Sequence, residues 1–123
     1  MTRSRPLVLV IDDDSDARAA YEVALKLEGF AVESARNGQE GFTRAVELRP
    51  ALLITDLSMP GMGGLAMVRE LRADDRTRHI PVITCSGQEE RPQHDARVDA
   101  MLTKPCPLQV LLHEVQRLVP PAA

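Results

Sequence analysis

Charged and hydroxyl side chains follow four apolar stretches of the chain, at the point where each stretch ends. Asp12 and Asp13 follow the stretch 7–11, and Asp56 follows 51–55. Ser86 follows 81–85, and Lys104 follows 100–103. Carboxylates as close as those of Asp12 and Asp13 repel each other, and a buried strand beside them strengthens the repulsion. Their chemistry therefore indicates a cation site, provided that the fold brings these residues together.

The apolar stretches predict five strands, bounded by glycine, proline and polar residues. Three of them are nearly continuous rather than alternating, which is typical of parallel strands covered on both faces. Helical patterns lie between them, including a first helix capped by Ser15 and a last helix that starts at Pro107. Strict alternation of strand and helix predicts a doubly wound α/β domain with right-handed crossovers. The predicted strands are 7–11, 30–35, 51–55, 81–85 and 100–103, and the predicted helices include 37–48 and 63–73.

Ligands of an open α/β sheet bind beyond the carboxyl ends of its strands. This edge of the sheet would collect the five polar residues from four separate strand ends. A single aspartate in a loop is most simply explained as a helix cap. Capping does not explain three carboxylates, a hydroxyl and an amine placed together, so the pattern predicts a binding site.

Charge balance indicates what such a site would bind. Asp12, Asp13 and Asp56 carry three negative charges, which a divalent cation and Lys104 would neutralise. Carboxylate oxygens select Mg²⁺, Mn²⁺ or Ca²⁺ rather than zinc. Mg²⁺ in particular takes one or two carboxylates, keeps waters and shares a phosphate oxygen. The pattern therefore favours a magnesium site that handles a phosphoryl group.

Length and composition limit the class of protein. The chain has 123 residues, 44% of them hydrophobic, which predicts a single domain over residues 1–123 with its core in 7–119. A net charge of −3 argues against nucleic-acid binding by this domain. The apolar runs are far shorter than the ~20 residues of a membrane span, and no signal-peptide core precedes the first strand, so we expect a cytoplasmic protein without membrane contact. Cys85 and Cys106 lack metal-ligand spacing and are expected to be free, buried thiols.

Four motifs at the strand ends resemble the receiver domain of two-component response regulators. They are IDDD at 11–14, TDLSMPGMGG at 55–64, VITCSG at 82–87 and LTKP at 102–105. The resemblance covers the chain from Leu7 to Val119. It implies a flavodoxin-like sheet of five parallel strands in the order 2-1-3-4-5, with helices on both faces.

The resemblance also implies roles for the acidic residues. Asp56 would be the phosphoacceptor that takes a phosphoryl group from a sensor histidine kinase or a phosphotransfer protein, forming 4-aspartylphosphate. Asp12, Asp13 and Asp56 would hold Mg²⁺, with Mn²⁺ as a substitute, and the backbone carbonyl of Ser58 would be a further ligand. Asp14 matches a position that is usually acidic, and we interpret it as a loop charge or a helix cap.

Lys104 and Ser86 would assist the transfer. Lys104 would pair with the phosphoryl oxygens, and Ser86 would donate a hydrogen bond to one of them. The peptide bond between Lys104 and Pro105 would be cis, and Ser58 and Gln88 would influence the lifetime of the acyl phosphate. The domain would signal by a conformational change, would not be a turnover enzyme, and would be compatible with a phosphorylation-dependent homodimer.

Three departures from the family pattern concern the output surface. Met101 stands where the family usually has Tyr or Phe, so the switch pair of Ser86 and Met101 lacks a ring. The segment 87–99 is polar, contains Pro92 and is shorter than the family pattern, which predicts that the fourth helix, between strands four and five, is short or degenerate. Cys106 replaces the usual Phe after the Lys-Pro pair. The output surface is therefore expected to be nonstandard, beside intact phosphorylation chemistry.

Two other functions fit part of the pattern. A receiver that is never phosphorylated would act as a docking or dimerisation module, and failure to react with acetyl phosphate or beryllofluoride would favour it. An aspartate-nucleophile phosphatase would carry Asp-x-Asp after its first strand, whereas this chain has Asp-Asp-Asp there and a lone Asp56 after the third strand. No cap domain fits within 123 residues, so the phosphorylated receiver accounts for more of the pattern.

Overall fold

Five strands and four helices lie along residues 5–57, 59, 61–87 and 97–119, the part of the chain that the computed structural model describes, and a described helix follows every strand except the fourth. Their bounds lie within one residue of the predicted ones, and none of these helices has the length and apolar character that crossing a membrane requires. The helix predicted to be short or degenerate belongs to the segment 87–99, of which residues 88–96 lie outside the described residues. The elements are β1 Leu7–Ile11, α1 Ser15–Leu27, β2 Ala31–Ala35, α2 Gly38–Leu48, β3 Leu52–Thr55, α3 Gly64–Ala73, β4 Val82–Ser86, β5 Ala100–Thr103 and α4 Leu108–Leu118.

All five strands are parallel and form one sheet in the order β2-β1-β3-β4-β5, which confirms the predicted topology. Ile11 of β1 lies beside Thr55 of β3, and Ser86 of β4 lies beside Thr103 of β5. The carboxyl ends of the strands therefore meet along one edge, which we call the carboxyl rim. The residues that follow each strand are brought together there.

Apolar layers cover both faces of the sheet. In β1, Val8 and Val10 pack on the face covered by α1 and α4, whereas Leu9 and Ile11 pack on the face covered by α2 and α3. A strand covered on both faces needs apolar residues at every position, which explains the continuous runs of the sequence. Each fully buried aliphatic side chain stabilises the fold by roughly 1.5–3 kcal/mol relative to an exposed one. The central strands are therefore the most firmly held elements of the sheet.

The edge strand β5 is much less buried. Its residues alternate between half-buried and exposed, and 61% of Met101 is exposed. Arg72 of α3 anchors the chain near the start of β5, because its guanidinium donates to the carbonyl of Arg97 at 3.0 Å and to that of Ile80 at 2.7 Å. Polar contacts thus contribute to positioning this edge, where the apolar core contributes less.

All four helices start one residue away from the predicted position, and in α1 and α4 this changes which residue caps the helix. The N-cap of α1 is Asp14, whose side chain accepts from the N–H of Asp16 at 3.0 Å, so Ser15 is the first helical residue and not the cap. Both residue types cap helices well, and the chain is still extended at Asp14 after leaving β1. Pro107 is likewise the extended N-cap of α4 rather than its first helical residue.

Candidate functional site

Three carboxylates meet at the carboxyl rim, at the ends of neighbouring central strands. Asp12 and Asp13 follow β1, and Asp56 follows β3, where its N–H donates to the carbonyl of Ile11 at 3.0 Å. One carboxylate oxygen from each aspartate lies within 4.8 Å of the other two. Asp12 and Asp56 are buried, whereas Asp13 is exposed. The structure thus brings together the three acids that the sequence singled out.

Lys104 reaches these carboxylates from the edge of the sheet. Its N–H donates to the carbonyl of Ser86 at 2.8 Å, and its peptide bond with Pro105 is cis, as the resemblance implied. Its Nζ donates to Asp56 Oδ2 at 3.0 Å and lies 3.9 Å from Asp12 Oδ2. Burial opposes the charge on the lysine, but the hydrogen bond from Nζ to Asp56 and the charges of Asp56 and Asp12 outweigh it and hold the pKa of Lys104 above its usual value. The lysine therefore contributes a full positive charge to the site.

Asp12 is the most buried of the three acids, with 2% of its surface exposed. Burial raises the pKa of its carboxyl group, the N–H of Asp14 and the charge of Lys104 oppose this, and the charges of Asp56 and Asp13 raise the pKa further. The N–H of Asp14 donates to Asp12 Oδ1 at 3.0 Å. Because the pKa of Asp12 is raised overall, the ammonium group of Lys104 alone does not compensate for burying this carboxylate among other acids.

The donor set suits a hard divalent cation. Three carboxylates and one ammonium leave two net negative charges, which one divalent cation would neutralise. The side-chain donors of this group are carboxylate oxygens, the ligands that Mg²⁺ and Mn²⁺ prefer. The carbonyl of Ser58, predicted as a further ligand, lies outside the described residues.

The remaining predicted residues divide between the rim and the edge strand. Ser86 is the last residue of β4, is 5% exposed, and belongs to the strand between those that precede Asp56 and Lys104. Met101 lies on the exposed edge strand rather than at the rim. Gln88, predicted to influence the acyl phosphate lifetime, lies outside the described residues. The structure therefore groups Ser86, but not Met101, with the acids and the lysine.

Arg18 supports the site, although the sequence analysis did not name it. Its Nη1 donates to the backbone carbonyl of Asp12 at 2.6 Å, which joins α1 to the end of β1. The sequence did contain a signal for this contact. Long side chains of a helix lean toward its N-terminus, and Arg18 lies one turn after the cap, Asp14. An arginine at this position can therefore reach the chain that leaves β1.

Glycines allow the loop after β3 to approach its neighbours closely. A Cβ at Gly64 would clash with the backbone carbonyl of Asp56, and one at Gly38 would clash with the carbonyl of Met62. The N–H of Gly38 donates to that same Met62 carbonyl at 3.1 Å. These contacts hold the loop between β3 and α3 against the start of α2. Adjacent glycines in a sequence signal such close backbone approach.

Fold and site together define an α/β domain that presents three grouped carboxylates beside a lysine at the carboxyl ends of its parallel strands. The chain belongs to the response regulator receiver domain family, whose model matches residues 8–116. It is therefore a receiver domain of the kind used in two-component signalling, as the four motifs indicated.

Relatives and solved structures support this placement. The transcriptional regulatory protein PrrA of Mycobacterium leprae is 38% identical over 120 residues, which cover 94% of this chain and 51% of PrrA. The DNA-binding dual master transcriptional regulator RpaA of Synechocystis is 33% identical over 118 residues, covering 93% of this chain and 49% of RpaA. This chain thus spans about half the length of these curated relatives.

The fold is also shared with solved receiver structures. The chemotaxis response regulator CheY4 of Vibrio cholerae has a TM-score of 0.86 at 25% identity, covering 96% of this chain and 100% of that one. A response regulator receiver protein from Pseudomonas putida has a TM-score of 0.81 at 32% identity, covering 94% of this chain and 99% of that one. The similarity therefore extends over nearly the whole chain in both cases.

Proposed function

We propose that Asp56 is the phosphoacceptor of this receiver domain and takes its phosphoryl group from the phosphohistidine of a sensor histidine kinase or a phosphotransfer protein. The observation that carries this proposal is the position of the Asp56 carboxylate. It belongs to the acidic group and accepts a hydrogen bond from Lys104 Nζ at 3.0 Å. A carboxylate in such surroundings can act as a nucleophile and form an acyl phosphate.

In the proposed transfer, a carboxylate oxygen of Asp56 attacks the phosphorus atom. The P–O bond forms as the P–N bond to the donor imidazole breaks, and the imidazole is the leaving group. Asp12, Asp13 and Asp56, with the carbonyl of Ser58, would hold Mg²⁺, or Mn²⁺ in its place. When bound, the metal supplies positive charge to the phosphoryl oxygens.

Lys104 supplies a second positive charge to the site, one that comes from the protein and not from the metal. Its Nζ pairs with Asp56 in the structure, and we infer that it turns to the phosphoryl oxygens once Asp56 carries them. Ser86 would donate its hydroxyl hydrogen bond to one of these oxygens. A phosphoryl group adds about −1.5 to −2 charges, which Lys104 and a divalent cation largely offset. The response is therefore conformational, with Ser86 and Met101 as switch residues.

The proposal extends to the role of the whole domain. We infer that residues 1–123 form a single domain with its core in 7–119, which acts in the cytoplasm as a phosphorylated switch rather than as a turnover enzyme. The net charge of −3 supports signalling through protein contacts instead of nucleic-acid binding by this domain. Ser58 and Gln88 are proposed to influence how long the acyl phosphate survives, and a phosphorylation-dependent homodimer is compatible with this role.

Replacement of the phosphoacceptor tests the proposal. The Asp56→Asn variant keeps the shape of the side chain but lacks a nucleophilic carboxylate, so acetyl phosphate with Mg²⁺ should label wild type and leave the variant unlabelled, as measured by intact mass. Asp14→Asn is the matched control, because Asp14 is an exposed cap and asparagine caps equally well. It should retain most of the labelling. Labelling of Asp56→Asn at the wild-type rate would refute the assignment.

The same assay separates the unphosphorylated docking module from the proposed function. A docking module would gain no phosphoryl mass from acetyl phosphate, and beryllofluoride with Mg²⁺ would leave its tryptic cleavage pattern unchanged. The proposed receiver should show labelling that EDTA abolishes, because removing the divalent cation leaves the acids of the site uncompensated.

A further inference from the structure

The two cysteines of the chain lie at the carboxyl ends of neighbouring strands, β4 and β5, although they are 21 positions apart in sequence. Cys85 is the residue before Ser86 in β4, and its side chain shares a face with Ile83, which packs under α1 and α4. Cys106 packs against that same apolar layer from the loop before α4. Cys85 lies opposite Leu102 of β5, which belongs to the same apolar layer, and its side chain is near enough to Cys106 to raise the pKa of that thiol.

The surroundings of the two thiols differ in accessibility. Cys85 is only 2% exposed, and the hydroxyl of Tyr21 donates to its Sγ at 3.8 Å from the α1 side. Cys106 is half-buried and therefore reachable from solvent, and its Sγ lies 3.6 Å from the carbonyl of Pro107. This differs from the expectation of two buried thiols, because the loop before α4 lacks the covering that β4 has in the middle of the sheet. One accessible thiol beside one protected thiol is the arrangement of a reacting and a resolving cysteine.

We propose that Cys85 and Cys106 form a modification site that a hydroperoxide converts into an intramolecular disulfide. The Cys106 thiolate attacks one peroxide oxygen, the O–O bond breaks, and Cys106 becomes a sulfenic acid; the other oxygen takes up a proton from solvent and leaves as water when the oxidant is hydrogen peroxide. The Cys85 thiolate then attacks the Cys106 sulfur, the S–O bond breaks, and a second water leaves as the S–S bond forms. The peroxide is reduced, and the two thiols are oxidised by two electrons.

Burial raises the pKa of the Cys106 thiol, and the neighbouring Cys85 adds to this effect. A raised pKa lowers the thiolate fraction at neutral pH, which makes the first step slow. The site is therefore expected to respond to sustained oxidant rather than to traces of it. An assay at about pH 8.5 supplies more thiolate and shortens the experiment.

The disulfide would join two segments that carry phosphorylation residues. Cys85 precedes Ser86 directly, and Cys106 follows Lys104 by two residues. A covalent link between the end of β4 and the chain after β5 would restrict the movements of both residues toward a phosphoryl group. Oxidation would then slow phosphorylation of Asp56, so this consequence rests on the proposed function, whereas the disulfide itself does not.

The disulfide is tested by treating the folded protein with hydrogen peroxide in the Asp56→Asn background as well as in wild type. Thiols are then counted with a maleimide after unfolding, and intact mass is measured. Both proteins should lose two thiols and the mass of two hydrogens, and a dithiol reductant should restore both. Cys106→Ser should stay unmodified because Cys85 is shielded, whereas Cys85→Ser should give a sulfenic acid that dimedone traps. Cys85→Ala provides a second variant if serine in this buried position prevents folding.

Several results would overturn the proposal. Gain of oxygen without loss of two hydrogens, a link between two molecules, or two thiols that survive until the protein is unfolded would each show that the pair is not a disulfide site. The consequence for signalling is measured separately, by comparing acetyl phosphate labelling of oxidised and reduced wild type. Equal labelling rates would refute the coupling to Ser86 and Lys104, and a Cys106→Ser control excludes general oxidative damage.

Discussion

The carboxyl rim has two halves that are built in different ways. The inner half consists of the ends of β1 and β3 with Asp12 and Asp56, and these strands are buried along nearly their whole length. The outer half consists of the ends of β4 and β5 with Ser86 and Lys104. Its edge strand alternates between half-buried and exposed residues, and the Lys104 side chain is 39% exposed.

The difference separates the fixed part of the site from its adjustable part. The inner acids sit on strands that are hydrogen-bonded on both sides and covered on both faces, so their backbone has little freedom to move. Lys104 reaches them over the top of β4 with a long side chain, which can change partners without moving the sheet. We therefore expect substitutions in the inner half to affect the whole fold, and those in the outer half to act more locally.

Gly64→Ala should lower the free energy of unfolding more than any other change at the carboxyl rim or the edge strand, and it tests the rigidity of the inner half. The added methyl group would clash with the backbone carbonyl of Asp56, and a backbone atom cannot yield as the end of a side chain can. We expect the free energy of unfolding to fall by about 3 kcal/mol, measured by urea denaturation followed by circular dichroism. Gly63→Ala is the matched control, because the nearest atom to its Cβ is the Leu57 carbonyl oxygen at 3.2 Å. Equal stability of the two variants would show that the inner half is not rigid.

Replacing Arg72, which anchors the outer half, should lower the free energy of unfolding by a smaller amount. Its guanidinium also donates to the carbonyl of Arg78 at 2.9 Å and lies 3.5 Å from Asp99 Oδ2, which accepts from the N–H of Val82 at 2.8 Å. Arg72→Met would remove these contacts and would leave the part-buried carbonyl of Ile80 without this donor, which should cost about 2 kcal/mol of unfolding free energy. In hydrogen exchange, protection should fall in β5 more than in β1.

Arg76→Met is the control for this anchor, because Arg76 pairs with Asp74 on the surface. Its removal should leave the denaturation midpoint almost unchanged. If Arg72→Met reduced protection equally in β1 and β5, the two halves would unfold together, and the contrast between them would be lost.

In protein without divalent cation, Asp12→Asn should change the free energy of unfolding by a still smaller amount, and it should raise it rather than lower it. Because the pKa of Asp12 is raised above its ordinary 3.8, its ionised form is less favourable in the folded than in the unfolded chain. This penalty is fully present above the raised pKa and disappears as the pH falls through it toward 3.8. In EDTA at neutral pH the variant should therefore be more stable than wild type, and this advantage should vanish in acid.

Magnesium should reverse this order of stability. Binding of Mg²⁺ stabilises only the folded protein that retains its ligands, so wild type should gain from added Mg²⁺ while Asp12→Asn gains less. Denaturation midpoints in EDTA and in Mg²⁺ measure both effects. A variant that is less stable than wild type in EDTA would contradict the upward pKa direction of Asp12.

The smallest effect is predicted for Met101→Ala on the edge strand. Since most of this side chain is exposed, its loss should change the unfolding free energy by less than about 0.5 kcal/mol. Met67→Ala is the matched comparison, because that methionine is fully buried in the core and its truncation should cost about 2–5 kcal/mol. Similar losses from both variants would mean that β5 is packed as firmly as the centre of the sheet.

Continuous apolar runs made the sheet predictable from sequence. A strand buried on both faces leaves a clear pattern, and the residues after it then lie at the rim by topology alone, which is how Asp12 and Asp56 were found. The choice between Asp14 and Ser15 as cap was not predictable, because either side chain can accept the hydrogen bond. Arg18 was missed because its contact is to a backbone carbonyl, so only its place one turn after the cap pointed to it.

Exposure at the edge was equally hard to predict. Met101 follows the apolar pattern of a strand, and only its place at the border of the sheet leaves its side chain in solvent. The meeting of Cys85 and Cys106 depends on how the loop after β5 returns over one face of the sheet. Neither spacing nor composition contains that information.

The direction of the helices adds an electrostatic contribution to the rim. Each described helix follows a strand that ends there, so all four helices start at this edge and run away from it. A helix N-terminus carries about half a positive elementary charge from its aligned peptide dipoles. α1 starts just after Asp13, and α3 starts beside the Asp56 carbonyl. This positive potential comes from the backbone, so it would persist even after every lysine and arginine around the rim had been replaced, and it offsets part of the negative charge of the three acids.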